Sequence, residues 1–437
     1  MINYTMELNH FLSISKITLG KEFLDNFNIK LRNENYLKIP DTDIKYKKVD
    51  DIIVIYLKED LKTSIKNFIE AYLGVFLYVV EKESVVNLGD NPSLEIILSK
   101  AIEKRSTDIH IEPKNNYVVI RYRIDGKLFC VFKGELDFQS LLNRIKVLNN
   151  LDLLNFEMQD GSAEYNGKNI RTSIIPTITG EKVVIRILDK DNFTDDPEKL
   201  GFTRELSEKY LKYTKEPGLH LVVGVTGSGK NTTLYYLIRN LDYDRLNIIS
   251  IEDPVEYKFD KITQIEVDEL KNRTFSNLLR ACLRQDPDVI YIGEIRDEIT
   301  AQVAVRAALT GHIVYASLHT KSVESTISRL QDLGVDDFYI NNTLKTVTSQ
   351  RLVRKLCDKC KSLGENNYYH ANSCECCYGG YIGRTGIFTI KRIEYKQNSD
   401  GTKELIFHTI SDMKDMAQKL LNDGIIDLKT FGEINDI

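Results

Sequence analysis

The sequence predicts an α/β fold: a largely parallel sheet covered by helices, preceded by a small α+β domain and a short N-terminal domain. In the C-terminal half the apolar runs HLVVGV, LNIISIEDP, DVIYIGE and HIVYASLH alternate with helical stretches, as strands buried on both faces of a parallel sheet require. The first of these runs enters a glycine-rich turn that opens a helix. Upstream, short alternating segments and a strong hairpin signal point to a mixed domain.

At 437 residues the chain is long enough for two or three domains. With 42% apolar and 28% charged residues it reads as globular. Its net charge of -5 offers no electrostatic pull toward nucleic acid. The N-terminus MINYTMELNH lacks the basic and apolar regions of an export signal, and the longest apolar run, around Tyr72 to Val80, is too short for a membrane span. The expectation is a cytoplasmic protein.

Residues 1–88 mix short apolar runs such as DIIVIYL with the helical-looking LKTSIKNFIEAYLGVF. The turn-rich NLGDNPS then marks a linker. The next domain, 92–195, opens with the helical SLEIILSKAIEK and continues with DIHIEP and YVVIRYRIDGKLFCVF, where Asp125-Gly126 predicts a hairpin. A helix over LLNRIKVLNNLDLL, turns at Gly161 and Gly167 and the strand KVVIRIL follow. The polar tract Asp189 to Lys199 reads as a second linker. The third domain, 200–437, closes with an amphipathic helix MKDMAQKLLNDG stopped by Gly424.

GVTGSGKNTT, Gly224 to Thr233, meets the spacing G-x-x-x-x-G-K but carries Asn231 where Ser or Thr is usual. Placed between a strand and a helix, its backbone amides can cradle phosphate oxygens, with the Lys230 ammonium reaching the β and γ phosphates. Gly224, Thr226, Gly227, Ser228, Gly229, Lys230, Asn231 and Thr232 are therefore the candidate nucleotide-binding residues. A hydroxyl at position 231 would ligate Mg²⁺, and the longer Asn amide is a poorer donor for a compact octahedral ion. Thr232 does not replace it, since one helical step turns a side chain by about 100°. The expectation is retained ATP binding and weakened Mg²⁺-dependent hydrolysis.

ISIEDPVEY carries Glu252, Asp253 and Glu256 at one strand end, and DVIYIGEIRD carries Glu294 at another. Carboxylates there can hold a metal shell or orient an attacking water. His312 precedes the strand of TGHIVYASLHT and His319 follows it, where it could sense a terminal phosphate.

Five of the seven cysteines crowd into one segment. CDKC at Cys357 and Cys360, and CECC at Cys374 and Cys377, form two C-x₂-C pairs able to supply a closed, structural Zn²⁺ site within an insert at 355–380. Cys376 is the alternative to Cys377. Cys130 and Cys282 read as inert core thiols.

These motifs, in this order, resemble the secretion ATPases of type II secretion and type IV pilus assembly: the Walker A run at Gly224, IEDPVEY, RQDPDVIYIGEIRD, TGHIVYASLHT and QRLVRKLC. STDIHIEP, IRYRIDGKL, IKVLNNLDLL and IIPTITGEKVVIRIL resemble the domain that precedes the ATPase in that family. The resemblance implies a RecA-like P-loop core and a PAS-like second domain. It gives phosphate binding to Lys230, the Walker B role to Glu294 and the general-base or water-orienting role to Glu256. His312 and His319 become the His-box residues, with Glu252 and His312 beside the nucleotide, and Arg171 and Arg186 become charge clamps from the second domain. It further implies a homo-hexamer under an inner-membrane platform protein, attached to the membrane through that partner. The tetracysteine element ahead of GGYIGRTGIF matches assembly and secretion motors rather than retraction motors. The leading expectation is therefore an ATP-hydrolysing motor of pilus assembly. The alternatives are a type II secretion ATPase and a nucleotide-binding, hydrolysis-poor ring subunit. A nucleic-acid-remodelling ATPase is disfavoured by the acidic balance.

Overall fold

A computed structural model describes residues 37–38, 45–49, 52–57, 76–80, 88–89, 91–188, 194–364, 366–372, 374, 376–397 and 403–435. The chain divides into two compact units, the smaller built mainly on residues 1–85. Within it, β1 (Leu37–Lys38), β2 (Lys45–Val49), β3 (Ile52–Leu57) and β4 (Phe76–Val80) form one sheet in that order, with β3 and β4 parallel. The DIIVIYL run is thus a strand, while most of LKTSIKNFIEAYLGVF lies outside the described residues.

The larger unit holds two major sheets. The first is antiparallel throughout, in the order β7-β6-β5-β10-β9-β8. Its strands are β5 (Ser106–Pro113), β6 (Val118–Ile124), β7 (Lys127–Gly134), β8 (Gln159–Tyr165), β9 (Lys168–Thr177) and β10 (Gly180–Leu188). Alternate residues such as Ile109, Ile111, Ile120, Tyr122 and Ile185 point into a core shared with α1 (Leu94–Glu103) and α2 (Phe138–Leu148). Ser93 caps α1, its hydroxyl accepting from the Ile96 N–H. Asp125 and Gly126 form the expected two-residue turn between β6 and β7, both with positive φ (48° and 87°).

Two expectations fail here. The helix does not run through LDLL; it ends at Leu148, because Asn149 caps it and Asn150 takes a left-handed φ of 55° that breaks the helical path. Cys130 is not a core thiol but exposed on β7, since the strand period sends its neighbours Phe129 and Val131 inward instead.

The second sheet has eight strands in the order β13-β12-β14-β15-β11-β16-β19-β20. They are β11 (Gly218–Val223), β12 (Ile248–Glu252), β13 (Thr263–Glu266), β14 (Val289–Ile292), β15 (Ile313–Leu318), β16 (Leu344–Leu356), β19 (Tyr381–Gln397) and β20 (Lys403–Ser411). The first six in spatial order are parallel, and β19 and β20 extend the sheet antiparallel. A small hairpin of β17 (Ser362–Leu363) and β18 (Tyr369–His370) interrupts the return from β16 to β19. Every residue of β11, β12, β14 and β15 is buried, as the continuous apolar runs predict.

The helices around this sheet are α3 (Arg204–Thr214), α4 (Lys230–Arg239), α5 (Phe275–Cys282), α6 (Glu298–Leu309), α7 (Val323–Asp332), α8 (Asp337–Thr343), α9 (Met413–Asn422) and α10 (Leu428–Asn435). Gly424 follows α9 with φ 65°, the left-handed stop expected from the sequence. At the β6–β7 turn the Asp125 carboxylate accepts the Gly383 N–H of β19 at 2.9 Å, which ties the two sheets together. Among the described residues no helix is long and apolar enough to cross a membrane.

Candidate functional site

Parallel strands of one sheet all point their C-terminal ends the same way, so the residues that follow β11, β12, β14 and β15 gather along one edge. After β11 the chain turns through Gly224, Gly227 and Gly229, with φ of 153°, 76° and 87°. A Cβ on Gly224 would meet the Gln350 carbonyl at 2.5 Å, and one on Gly229 would meet the Gln350 side-chain nitrogen at 2.9 Å. The positive φ favours glycine at both, and at Gly224 the Gln350 backbone also leaves no room for a Cβ.

Gly229 caps α4 and offers no side chain to its first turn. The leading amides of α4 therefore lack a side-chain cap, with the positive end of the helix dipole behind them. Lys230 is only 8% exposed, and its ammonium donates to the loop's own carbonyls, Gly224 at 2.8 Å and Val225 at 3.3 Å. Ser228 is buried in the same loop, and its Oγ has no hydrogen-bond partner. A buried hydroxyl, uncapped amides and a cation bonded only to backbone together make a socket whose donors suit phosphate oxygens.

Glu294 follows β14 and accepts from His319 Nε2 at 3.0 Å and from Arg296 Nε at 2.8 Å. Arg296 also donates to Asp253 at 3.0 Å, which links the ends of β12 and β14. Burial lowers the pKa of Lys230, and the Glu294 carboxylate opposes that shift. Burial also lowers the pKa of His319, followed by repulsion from the Lys230 cation, with Glu294 again opposing. The Glu294 carboxylate thus lies close enough to act electrostatically on both Lys230 and His319.

The other candidate residues fall elsewhere. Glu252 is 3% exposed, and its carboxylate accepts from the Tyr235 hydroxyl, from Ser250 Oγ at 2.7 Å and from Gln264 Nε2 at 3.1 Å. Burial raises its pKa against those bonds. Its hydrogen-bonding capacity is directed into the fold, so it braces the end of β12 rather than facing a ligand. Glu256 is half-buried in the following loop, and its charge contributes to raising the pKa of both Glu252 and Tyr235. Asn231 and Thr232 are half-buried on the first turn of α4, while Thr226 and Gly227 form the exposed tip of the loop.

His312 lies at the other end of β15 from His319. It precedes β15, beside the start of β11, where its Nδ1 contacts the Ala307 carbonyl at 2.8 Å and the Thr310 hydroxyl at 3.0 Å. The six residues of β15 lie between it and His319, a span of about 23 Å. Within one chain it cannot reach the glycine loop.

Arg171 and Arg186 are register partners on β9 and β10. Arg171 Nη2 donates to the Val255 carbonyl at 3.5 Å, in the segment between Glu252 and Glu256. Arg186 instead pairs with Asp108 of its own sheet at 3.0 Å.

Gln350, Tyr235 and Arg296 went unassigned in the sequence. Gln350 sits on β16 beside the loop and accepts from Thr233 Oγ1 at 2.7 Å, which holds α4 against the strand. Its only sequence signal is its place at the head of QRLVRKLC. The thiol sulfurs of Cys357, Cys360, Cys374 and Cys377 all lie within 4.8 Å of one another. Four thiolates bound tetrahedrally at about 2.3 Å from zinc would be spaced about 3.8 Å apart, so this donor set is consistent with a structural zinc site.

A glycine loop opening a helix, with carboxylates at the ends of neighbouring parallel strands, defines a protein of the P-loop nucleotide-binding class. Residues 90–429 match the family described as type II/IV secretion system protein, and the chain belongs to that family. It is 39% identical over 368 residues to type II secretion system protein E of Dickeya dadantii, covering 78% of this chain and 72% of that one. It is 36% identical over 367 residues to the type IV pilus assembly ATPase PilB of Myxococcus xanthus, covering 78% of this chain and 64% of that longer protein. Among solved structures it resembles the pilus retraction motor PilT with bound ADP, at TM-score 0.53 and 25% identity, over 78% of this chain and 96% of that one. The Legionella pneumophila ATPase DotB shares the fold at TM-score 0.59 and 18% identity, over 80% and 99% of the two chains. The chain is accordingly a secretion or pilus ATPase by family.

Proposed function

We propose that this chain hydrolyses ATP as the motor of type IV pilus assembly, working as a hexameric ring on the cytoplasmic face of the membrane beneath a platform protein. The observation that carries the catalytic part is the convergence of Lys230, Glu294 and His319 on a glycine loop with a buried, unpartnered Ser228 hydroxyl. The ring and the platform partner rest on kinship with the relatives above. A second reading, type II secretion, is favoured by one comparison: the type II relative in Dickeya is 39% identical and the pilus relative in Myxococcus 36%.

In this reading residues 200–437 are a RecA-like ATPase, 92–195 a PAS-like domain and 1–88 a docking or regulatory domain. The loop amides and Ser228 bind phosphate oxygens. Lys230 exchanges its bonds to Gly224 and Val225 for the β and γ phosphates, which is a small rearrangement of an already desolvated cation. Glu294 organises the attacking water or the metal shell, and its bond to His319 couples that carboxylate to the terminal phosphate. Arg296 holds Glu294 and Asp253 in one orientation. Glu256 is the general base, and Arg171, already at the Asp-box segment, supplies positive charge from the second domain. Mg²⁺, when bound, would neutralise phosphate charge, with the Asn231 amide oxygen as its donor from α4. Zn²⁺ at the four cysteines would pin the insert between β16 and β19.

The test is phosphate release by the purified chain with Mg²⁺-ATP, alongside the variants Asn231→Thr and Glu294→Gln. Turnover by the natural chain is expected, faster in the Asn231→Thr variant and lost in the Glu294→Gln variant. No release from the natural chain combined with release from Asn231→Thr would replace the motor with a nucleotide-binding ring subunit.

A further inference from the structure

The tetracysteine insert contains a fifth thiol that a zinc site does not need. Cys376 lies between Cys374 and Cys377 in sequence but outside the four sulfurs that lie within 4.8 Å of one another. It is exposed, whereas Cys357 and Cys377 are buried and Cys374 is partly covered. Its sulfur stands 3.1 Å from that of Cys374, and Cys374 is in turn 3.3 Å from Cys377. One would-be zinc ligand therefore touches a solvent-facing thiol. A disulfide bond is about 2.05 Å long, so the Cys374–Cys376 pair needs roughly an ångström of approach to form one.

We propose that Cys376 is a peroxide-responsive thiol that disables the zinc site by forming a disulfide with Cys374. The idea rests on the zinc reading above. Accessibility decides which sulfur reacts first, and among the five thiols of the insert Cys376 is the exposed one. Hydrogen peroxide oxidises it: the O–O bond breaks, one oxygen joins sulfur as a sulfenic acid, and the other leaves as water. The Cys374 sulfur, already in contact, attacks the sulfenic sulfur. The S–S bond forms, the S–O bond breaks, and the hydroxyl leaves as a second water with the proton of Cys374 or of solvent. Overall two thiols are oxidised and one hydroperoxide is reduced. A sulfur held in a disulfide is no longer a thiolate donor, so the metal keeps three ligands in place of four and is lost.

The consequence has a structural route. The Cys357 N–H donates to the Gly380 carbonyl at 2.8 Å, which joins the end of β16 to the residue preceding β19. β16 is also the strand that carries Gln350 against the nucleotide loop. Releasing the metal frees the segment that connects these two strands.

The experiment treats the full-length, zinc-loaded chain with limiting hydrogen peroxide. Zinc release is followed with a chromophoric chelator, and disulfides are mapped by peptide mass spectrometry. The natural chain should release zinc as a Cys374–Cys376 cross-link accumulates. Cys376→Ser should start with the same zinc content and lose both the cross-link and the peroxide-triggered release. Cys130→Ser, which removes the other exposed thiol, should behave like the natural chain. Undiminished zinc release from Cys376→Ser, or a cross-link that maps to Cys374–Cys377, would overturn the proposal. A freshly purified reduced chain without zinc would overturn the zinc reading, and cross-link mapping on that same sample would still decide whether Cys376 and Cys374 are the reactive pair.

Discussion

Replacing Tyr235 with Phe removes one donor from the buried Glu252 carboxylate and leaves Ser250 and Gln264 as the others. A hydrogen bond to a buried charge contributes about 1.5–3 kcal/mol, and Gln264 Nε2, which also donates to the lost hydroxyl, keeps Glu252 and the Tyr257 carbonyl as acceptors. With a urea m-value of about 3 kcal/mol/M, the unfolding midpoint should fall by roughly 0.5–1 M. The penalty should depend on pH. Burial holds the folded pKa of Glu252 above its ordinary value. The native state therefore binds this proton more tightly than the unfolded chain, and stability is lost as pH rises through the folded pKa. Tyr235 bonds the charged form, so its removal raises that pKa further and widens the window toward neutral pH. Urea titrations at pH 7.5 and near pH 4.5 should show the full penalty at the former and a smaller one at the latter. Equal penalties at both would mean that Tyr235 does not stabilise a charged Glu252, and the bracing role assigned to that carboxylate would fail.

Glu294→Gln should lower phosphate release by about 10²–10³-fold, the range for a lost pre-organised electrostatic group, while a fluorescent ATP analogue still binds. Gly229→Ala should weaken binding of that analogue, because a left-handed backbone at φ 87° costs Ala about 1–2 kcal/mol and its Cβ would strike Gln350. His319 titrates below its ordinary value of about 6.5. Phosphate release should therefore hold steady through that pH and fall only at lower values, and His319→Gln should flatten that acid limb. Cys357→Ser should abolish stoichiometric zinc, read by metal analysis of the reduced chain.

The glycine loop, the four inner strands of the large sheet and the Asp125-Gly126 turn were legible in the sequence because each is dictated locally. Positive φ favours glycine, Asp and Asn, and a strand buried on both faces cannot alternate. The cysteine spacing was legible for the same reason. Helix ends and exposure were less so. Asn149-Asn150 stops α2 while the apolar residues run on, and the face a strand shows to solvent decides that Cys130 is exposed.

What the tertiary structure alone decided is which residues meet. His312 and His319 share one motif, yet β15 carries them to opposite edges of the sheet. Glu252 and Glu294 both end strands, but Tyr235, Ser250 and Gln264 turn the first inward while Lys230 and His319 surround the second. Gln350 lies 120 residues beyond Lys230 in sequence and reaches the glycine loop only because β16 pairs with β11. Local conformation depends on neighbours in the chain, whereas a site depends on strand order, and strand order is settled by long-range packing of the whole sheet.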